Sequence, residues 1–230
     1  MSRHLKRLNA PKSWMILRKT TKYIAKPLPG AHTLDESMPI GLVLRQLGHA
    51  QTMAEAKKIL TTHEVLVDGK RVRNPKAPVG VLDSITLPAT SEYLRIVLDT
   101  KGRLVFIPIP KTETNAKLCK VVNKTVVRGG KLQYNLHDGR NLLADKAAAS
   151  TNDTLVLHVP DQKIVQHLAF EKGALIYLLG GKHVGTFGML DKVEDDEIIF
   201  TVNGQSIATA KQYALVVGKD KPVITLKKAA

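Results

Sequence analysis

The chain has 230 residues, with 35 lysines and arginines against 20 acids, a net charge of +15 at pH 7. That length allows one large domain or two to three small ones, and the charge implies a polyanionic partner, either nucleic acid or an anionic surface. There is no long uncharged apolar run, the basic N-terminus lacks the apolar stretch of a signal peptide, and the single cysteine, Cys119, excludes a disulfide framework within the chain.

Residues 1–34 carry Arg3, Lys6, Arg7, Lys12, Arg18, Lys19, Lys22 and Lys26, with His4, before the first carboxylate at Asp35. Pro11, Pro27 and Pro29 interrupt the stretch, and its apolar residues are too few for a core. It is expected to be a basic RNA-binding arm that orders on its partner. Trp14 and Tyr23 sit among these cations. An aromatic ring there can stack on a base or pack on the neighbouring domain, and for Trp14 both readings stand.

Residues 35–91 read as an αα-ββ unit. Ile40, Val43, Leu44 and Leu47 recur at helical spacing after Pro39, with Gly48 as the stop. Thr52-Met53-Ala54-Glu55 is a capping box that opens a second helix through Ala56, Ile59 and Leu60. EVLVDGKRVRNP follows, in which Asp68-Gly69 signals a tight hairpin. Lys70, Arg71 and Arg73 lie just past its turn. With Arg45, Lys57 and Lys58 they make a candidate phosphate-binding surface in one small unit. Two helices and a charged hairpin, with AKKIL, EVLVDGKRV and PVGVLDSITL in order, resemble the S-four RNA-binding domain.

Residues 92–169 are expected to be a central β-rich domain. YLRIVLD and RLVFIPIP flank a turn at Thr100-Lys101-Gly102, and Gly129-Gly130 marks another. KLCKVV places Cys119 in an apolar strand, so the thiol is expected to be buried and structural. His137-Asp138-Gly139-Arg140-Asn141 reads as a turn offering His137, Arg140 and Asn141 to RNA, beside Arg128 and Lys131. Ala144–Ser150 is expected to be a loop or short helical turn. Residues 170–230 repeat glycine at 173, 180, 181, 185 and 188, as sharp turns between short strands require. FEKGALIYLLGGKHVGTFGML resembles the KOW motif of small β-barrels, with Lys182 and His183 as its candidate RNA contacts. The acidic turn at Asp195–Glu197 is explained by solvation.

Motifs for chemistry are missing. No glycine stands at the spacing that would turn Lys70, Lys131 or Lys182 into a phosphate-loop lysine. The eight histidines are scattered without a ligand spacing, so neither metal nor cofactor is expected. Gly185-Thr186-Phe187-Gly188 fits a barrel turn better than an RNA-clamping GxxG loop. Asp138 lacks the sequence context and the large domain that a pseudouridine synthase needs.

The order of the parts, with RHLKRLNAPKSW, EAKKIL, EVLVDGK, PVGVLDSI, LHDGRN, GGKHVGTFG and VVGKDKPVITL, is similar over essentially the whole chain to the small-subunit ribosomal protein S-four-e family. The length, without an extended C-terminal tail, points to its archaeal branch. His183, Thr186 and Ala210 depart from the family pattern. The resemblance implies an α+β, multidomain protein: a basic arm at 1–34, an S-four-like domain at 35–91, a central β domain at 92–169 and a KOW barrel at 170–230. It implies a non-enzymatic, cytoplasmic constituent of the small subunit. Its partners would be small-subunit ribosomal RNA and neighbouring ribosomal proteins, with no membrane, small-molecule substrate or homo-oligomer. A non-catalytic RNA-binding regulator and an RNA-modifying enzyme are the alternative readings.

Overall fold

A computed structural model describes residues 4–144, 149–202 and 204–226. It is mostly β with two helices, an α+β protein, and it divides into two compact units: Met1–Val97 with Arg103–Thr114, and Leu98–Gly102 with Asn115–Ala230. No helix among the described residues is long and apolar enough to cross a membrane.

The first unit opens with a two-stranded ribbon, β1 (Leu5–Lys6) and β2 (Tyr23–Ile24), paired antiparallel. β3 (Ser37–Pro39) leads into α1 (Ile40–Gln46) and α2 (Met53–Thr62). The helices form where the apolar spacing places them, with Ile40, Val43, Leu44, Ala56 and Leu60 buried. Thr52 caps α2: its Oγ1 accepts from the Glu55 amide at 3.2 Å, as in a capping box, and Glu55 Oε2 reaches back to the Gln51 amide, one residue before the cap, at 2.8 Å. Gly48, at φ 85°, ends the turn after α1.

β4 (Leu66–Val67) and β5 (Lys70–Arg71) make the expected hairpin. Asp68 and Gly69 both have positive φ, 49° and 72°, the two-residue turn whose twist suits flanking strands. Asp68 is more than a turn former. It is buried and accepts from the Ser84 amide at 3.0 Å, tying the hairpin to the next strands. β6 (Pro78–Gly80) pairs with β3. β7 (Ser84–Leu87), β8 (Glu92–Leu98) and β9 (Leu104–Pro108) complete a sheet of order β5-β4-β7-β8-β9.

The sheet runs on past residue 92, where the central β-rich stretch is expected to begin: β8 pairs with β7 in continuous register from Ser84↔Arg95 to Leu87↔Glu92. Ile85, Ile96, Leu104 and Ile107 are all buried. Inside the same unit Arg95 is fully buried, with Nη2 donating to the Glu113 carbonyl at 2.8 Å and Nη1 3.3 Å from the Glu113 carboxylate.

The second unit holds two five-stranded antiparallel sheets. The strands of one are β10 (Ala116–Val126), β11 (Leu132–Leu136), β12 (Asn141–Ala144), β13 (Thr154–His158) and β14 (Lys163–Leu168), ordered β12-β11-β10-β13-β14. Cys119, Val121, Tyr134, Leu136, Leu142, Leu155 and Leu157 form its core. Part of the loop expected at Ala144–Ser150 lies outside the described residues. β15 (Leu175–Leu178), β16 (Phe187–Val193), β17 (Glu197–Val202), β18 (Gln205–Ala210) and β19 (Ala214–Gly218) make the other sheet, ordered β18-β17-β16-β15-β19. Its glycines allow close approach: a Cβ on Gly188 would lie 2.5 Å from the Phe200 ring, and one on Gly180 2.5 Å from Tyr213. Lys120 joins the two sheets, its Nζ donating to the carbonyls of Lys211 and Gln212 at 3.0 and 2.9 Å.

Candidate nucleic-acid interface

The first unit gathers cations from two elements. Lys57 and Lys58 lie exposed on α2, while Lys70, Arg71 and Arg73 lie exposed on and after β5. Arg71 Nη2 lies 3.5 Å from the carbonyl of Thr61 in the last turn of α2, which sets the hairpin beside the helix. Arg45 is exposed and donates to the Gln51 carbonyl at 2.9 Å, at the start of α2. The cations that the sequence grouped therefore share one small unit, on side chains open to solvent. Glycine and aspartate make this possible, because a two-residue turn places β5 directly against β4 with no loop to screen its lysine and arginine.

The N-terminal stretch, expected as a basic arm, carries packed side chains. Leu5, Ala10, Trp14 and Ile24 are buried. Trp14 is 2% exposed and its indole N–H donates to the Ser37 carbonyl at 2.7 Å. Of its two readings packing is the one realised, because the buried ring presents no face to a base. Arg18 grips the arm itself, its Nη1 donating to the Ala10 carbonyl and its Nη2 to the Pro11 carbonyl, both at 2.7 Å. Arg7 does likewise, donating to the Leu17 carbonyl at 2.9 Å and to Thr21 Oγ1 at 3.0 Å. His4, Lys6, Lys12, Lys19 and Lys22 are exposed and Lys26 is half-buried. Arg3 lies outside the described residues.

In the second unit the turn at 137–140 is present, with Asp138 buried and His137 and Arg140 half-buried. Asp138 is fully buried. Its Oδ2 lies 3.3 Å from Lys117 Nζ and 3.1 Å from Arg140 Nε, and Cys119 Sγ is 3.5 Å away. Burial alone would raise the carboxyl, but Lys117, His137 and Arg140 together hold it below the usual carboxylate range. The Cys119 thiol is pushed well up by burial and by Asp138. His137 Nδ1 accepts from the Lys120 amide at 3.1 Å and Nε2 is buried. A buried carboxylate needs paired cations, and Arg140 is one of them. Asn141 is exposed, as are Arg128 and Lys131.

Cys119, His137 and Asp138 do bring three potential metal-ligand atoms within 4.8 Å of one another. The chemistry does not suit a cation. Lys117 and Arg140 already neutralise the carboxylate, and the thiol is held protonated.

The loop between β15 and β16 is anchored internally. Thr186 Oγ1 donates to the His183 carbonyl at 2.6 Å, and a Cβ on Gly185 would lie 2.6 Å from the Asp99 carbonyl carbon. Tyr177 Oη donates to the Leu98 carbonyl at 2.8 Å and accepts from its amide at 3.0 Å. Burial pushes that phenol up to about 12. Lys182 is exposed on this loop and His183 half-buried. Sequence reasoning missed Lys172, Lys219 and Lys221, which line one cleft of about 770 Å³ with Glu171 and Asp220. The KDK run at 219–221 was the available signal, but nothing local places Lys172 beside it.

Comparison with known proteins agrees with this architecture. Residues 90–164 match the model of "Ribosomal family S4e", and residues 1–35 match the RS4NT (NUC023) domain. The small ribosomal subunit protein eS4 of Methanococcus aeolicus is 43% identical, covering 97% of each chain, and that of Methanocaldococcus jannaschii is 42% identical with the same coverage. The crystal structure of the 30S ribosomal protein S4e from Thermoplasma acidophilum superposes with a TM-score of 0.71 at 30% identity, covering 81% of this chain and 97% of that one. These relatives are archaeal, and the alignments extend through both units. The chain belongs to the ribosomal S4e family, in its archaeal branch.

Proposed function

We propose that this chain is a structural, non-catalytic constituent of the small ribosomal subunit, cytoplasmic, which binds and stabilises ribosomal RNA of the subunit body. The observation that carries the reading is the joining of α2 to the β4–β5 hairpin, which holds Lys57, Lys58, Lys70, Arg71 and Arg73 exposed in one unit. Such cations neutralise closely spaced phosphates and release counterions. A-form RNA hides its base edges in a deep major groove, so recognition is of shape and backbone. Residues 35–91 serve as the S-four-like module, and residues 170–230 as the KOW module with Lys182 at its loop. The relatives' names support assembly with the small subunit, where neighbouring ribosomal proteins complete the set of partners.

The test is sedimentation of a cell lysate, a high-salt wash of the small-subunit fraction, and quantitation of this chain. One copy per small subunit, resistant to the wash, is expected. Absence from that fraction, or release at moderate salt, would overturn the reading in favour of a peripheral RNA-binding regulator.

A further inference from the structure

The outer face of β10, β11 and β12 is not accounted for by the basic surface. Asn123, Asn135 and Asn141 stand directly opposite one another across the three strands, and Thr125, Gln133 and Leu143 form the next row. Directly opposed residues share a face, as do residues two apart along a strand. The other face carries Tyr134 and Leu142 into the core, so these two rows lie on the outside together. Asn123, Thr125 and Asn141 are exposed, and Gln133 and Asn135 half-buried. Gln133 Nε2 donates to Asn135 Oδ1 at 2.8 Å, and Asn123 Oδ1 accepts from the Lys124 amide at 2.7 Å.

The face is neutral, but its surroundings are not. Between residues 121 and 144 the sequence has one carboxylate, Asp138, which is buried and ion-paired. Arg128 and Lys131 are exposed at the β10–β11 turn. A plane without exposed carboxylates, flanked by cations, complements a polyanion. A phosphate ridge would be met by cations, however, and this plane offers amides, each with two N–H donors and a carbonyl acceptor. Their natural match is a group that both donates and accepts. The wide, shallow minor groove of A-form RNA displays such groups, the ribose 2′-hydroxyls. No aromatic side chain lies in these two rows, so they provide no platform for stacking single-stranded bases.

We propose that this amide face seats the minor groove of double-helical RNA, with Arg128 and Lys131 on the flanking phosphates. The proposal rests on the RNA-binding reading above. Its test uses the full chain with deproteinised small-subunit ribosomal RNA, comparing wild type with Asn123→Ala/Asn141→Ala. Affinity is measured across a salt series, and hydroxyl-radical footprinting, which cuts accessible riboses whether paired or not, maps the contacts. Loss of a discrete patch of ribose protection, with binding weakened about tenfold and the salt slope unchanged, is expected. Arg128→Ala/Lys131→Ala should instead flatten the slope by roughly 1 to 2. If the double Asn variant keeps wild-type protection and affinity, the proposal is overturned and the face is left to a protein neighbour. Should the double variant unfold, Asn141→Ala alone, on the edge strand, decides by the same readouts. Failure of the wild-type chain to bind the RNA at all would overturn the RNA-binding reading together with this one.

Discussion

Trp14 shows how a residue's neighbours decide its role. An aromatic among cations resembles a stacking residue, and its sequence context could not separate that from a packed one. The separating facts are non-local: burial, and a hydrogen bond to Ser37 across 23 residues. Trp14→Ala should cost about 3–5 kcal/mol in urea unfolding, as truncation of a large buried side chain does. Asp138 is a second case, since Asp-Gly spells a turn but says nothing of Lys117 and Arg140 closing on the carboxylate. Asp138→Asn should destabilise the chain by about 3–5 kcal/mol at neutral pH, because two cations lose their counter-charge. The carboxyl's folded value lies below the unfolded one, so its contribution is complete above the ordinary aspartate value of 3.8 and is lost as pH falls through the folded value. Acid titration of the variant should therefore lack that part of the wild-type loss below pH 3.8. Lys120 works in the opposite sense. Burial, aided by Lys211, pushes its ammonium from 10.5 down to about 8. Between those values the unfolded chain binds more protons than the folded one, so stability rises with pH across the window. Unfolding midpoints of wild type should gain on those of Lys120→Met from pH 8 to 10.5, whatever the constant difference between them.

At the scale of elements, what could be read in the sequence was local. α1 and α2 follow from helical spacing, a capping box and a terminating glycine. The β4–β5 hairpin follows from two residues that accept positive φ. Strand partners were not legible, because nothing in EYLRIVL says that it joins β7 rather than a separate sheet; the register with Ser84–Leu87 does. The exposed cations of the hairpin were legible for the same local reason, whereas the burial of Asp138 against Lys117, and the bond from the Lys120 amide to His137, depend on the register of β10. Thr52→Ala should cost about 1 kcal/mol, seen in chemical denaturation, through loss of the α2 cap. Gly185→Ala should disturb far more than a cap, because φ is 75° and a Cβ would collide with the Asp99 backbone at 2.6 Å. Altered amide chemical shifts at Leu98–Gly102 are the expected signature of that collision.

For the molecule as a whole, the net charge of +15 overstates the positive surface. Arg95, Lys117 and Lys120 are buried, and Arg18 and Arg7 hold backbone carbonyls. RNA affinity should therefore depend on fewer cations than composition suggests. Lys57→Ala/Lys58→Ala/Arg71→Ala should flatten the salt dependence of binding by roughly 2 to 3, read from affinities at several ionic strengths. The arm has a further consequence. Because Arg7 and Arg18 are turned onto its own carbonyls, their side chains are withheld from a trypsin pocket, while Lys19 and Lys22 stand open. Limited digestion of the free chain should cut at the lysines well before the arginines. An arm already closed in this way has little conformational entropy left to lose, so any binding through it should involve only a small ordering penalty and proceed without a slow folding phase.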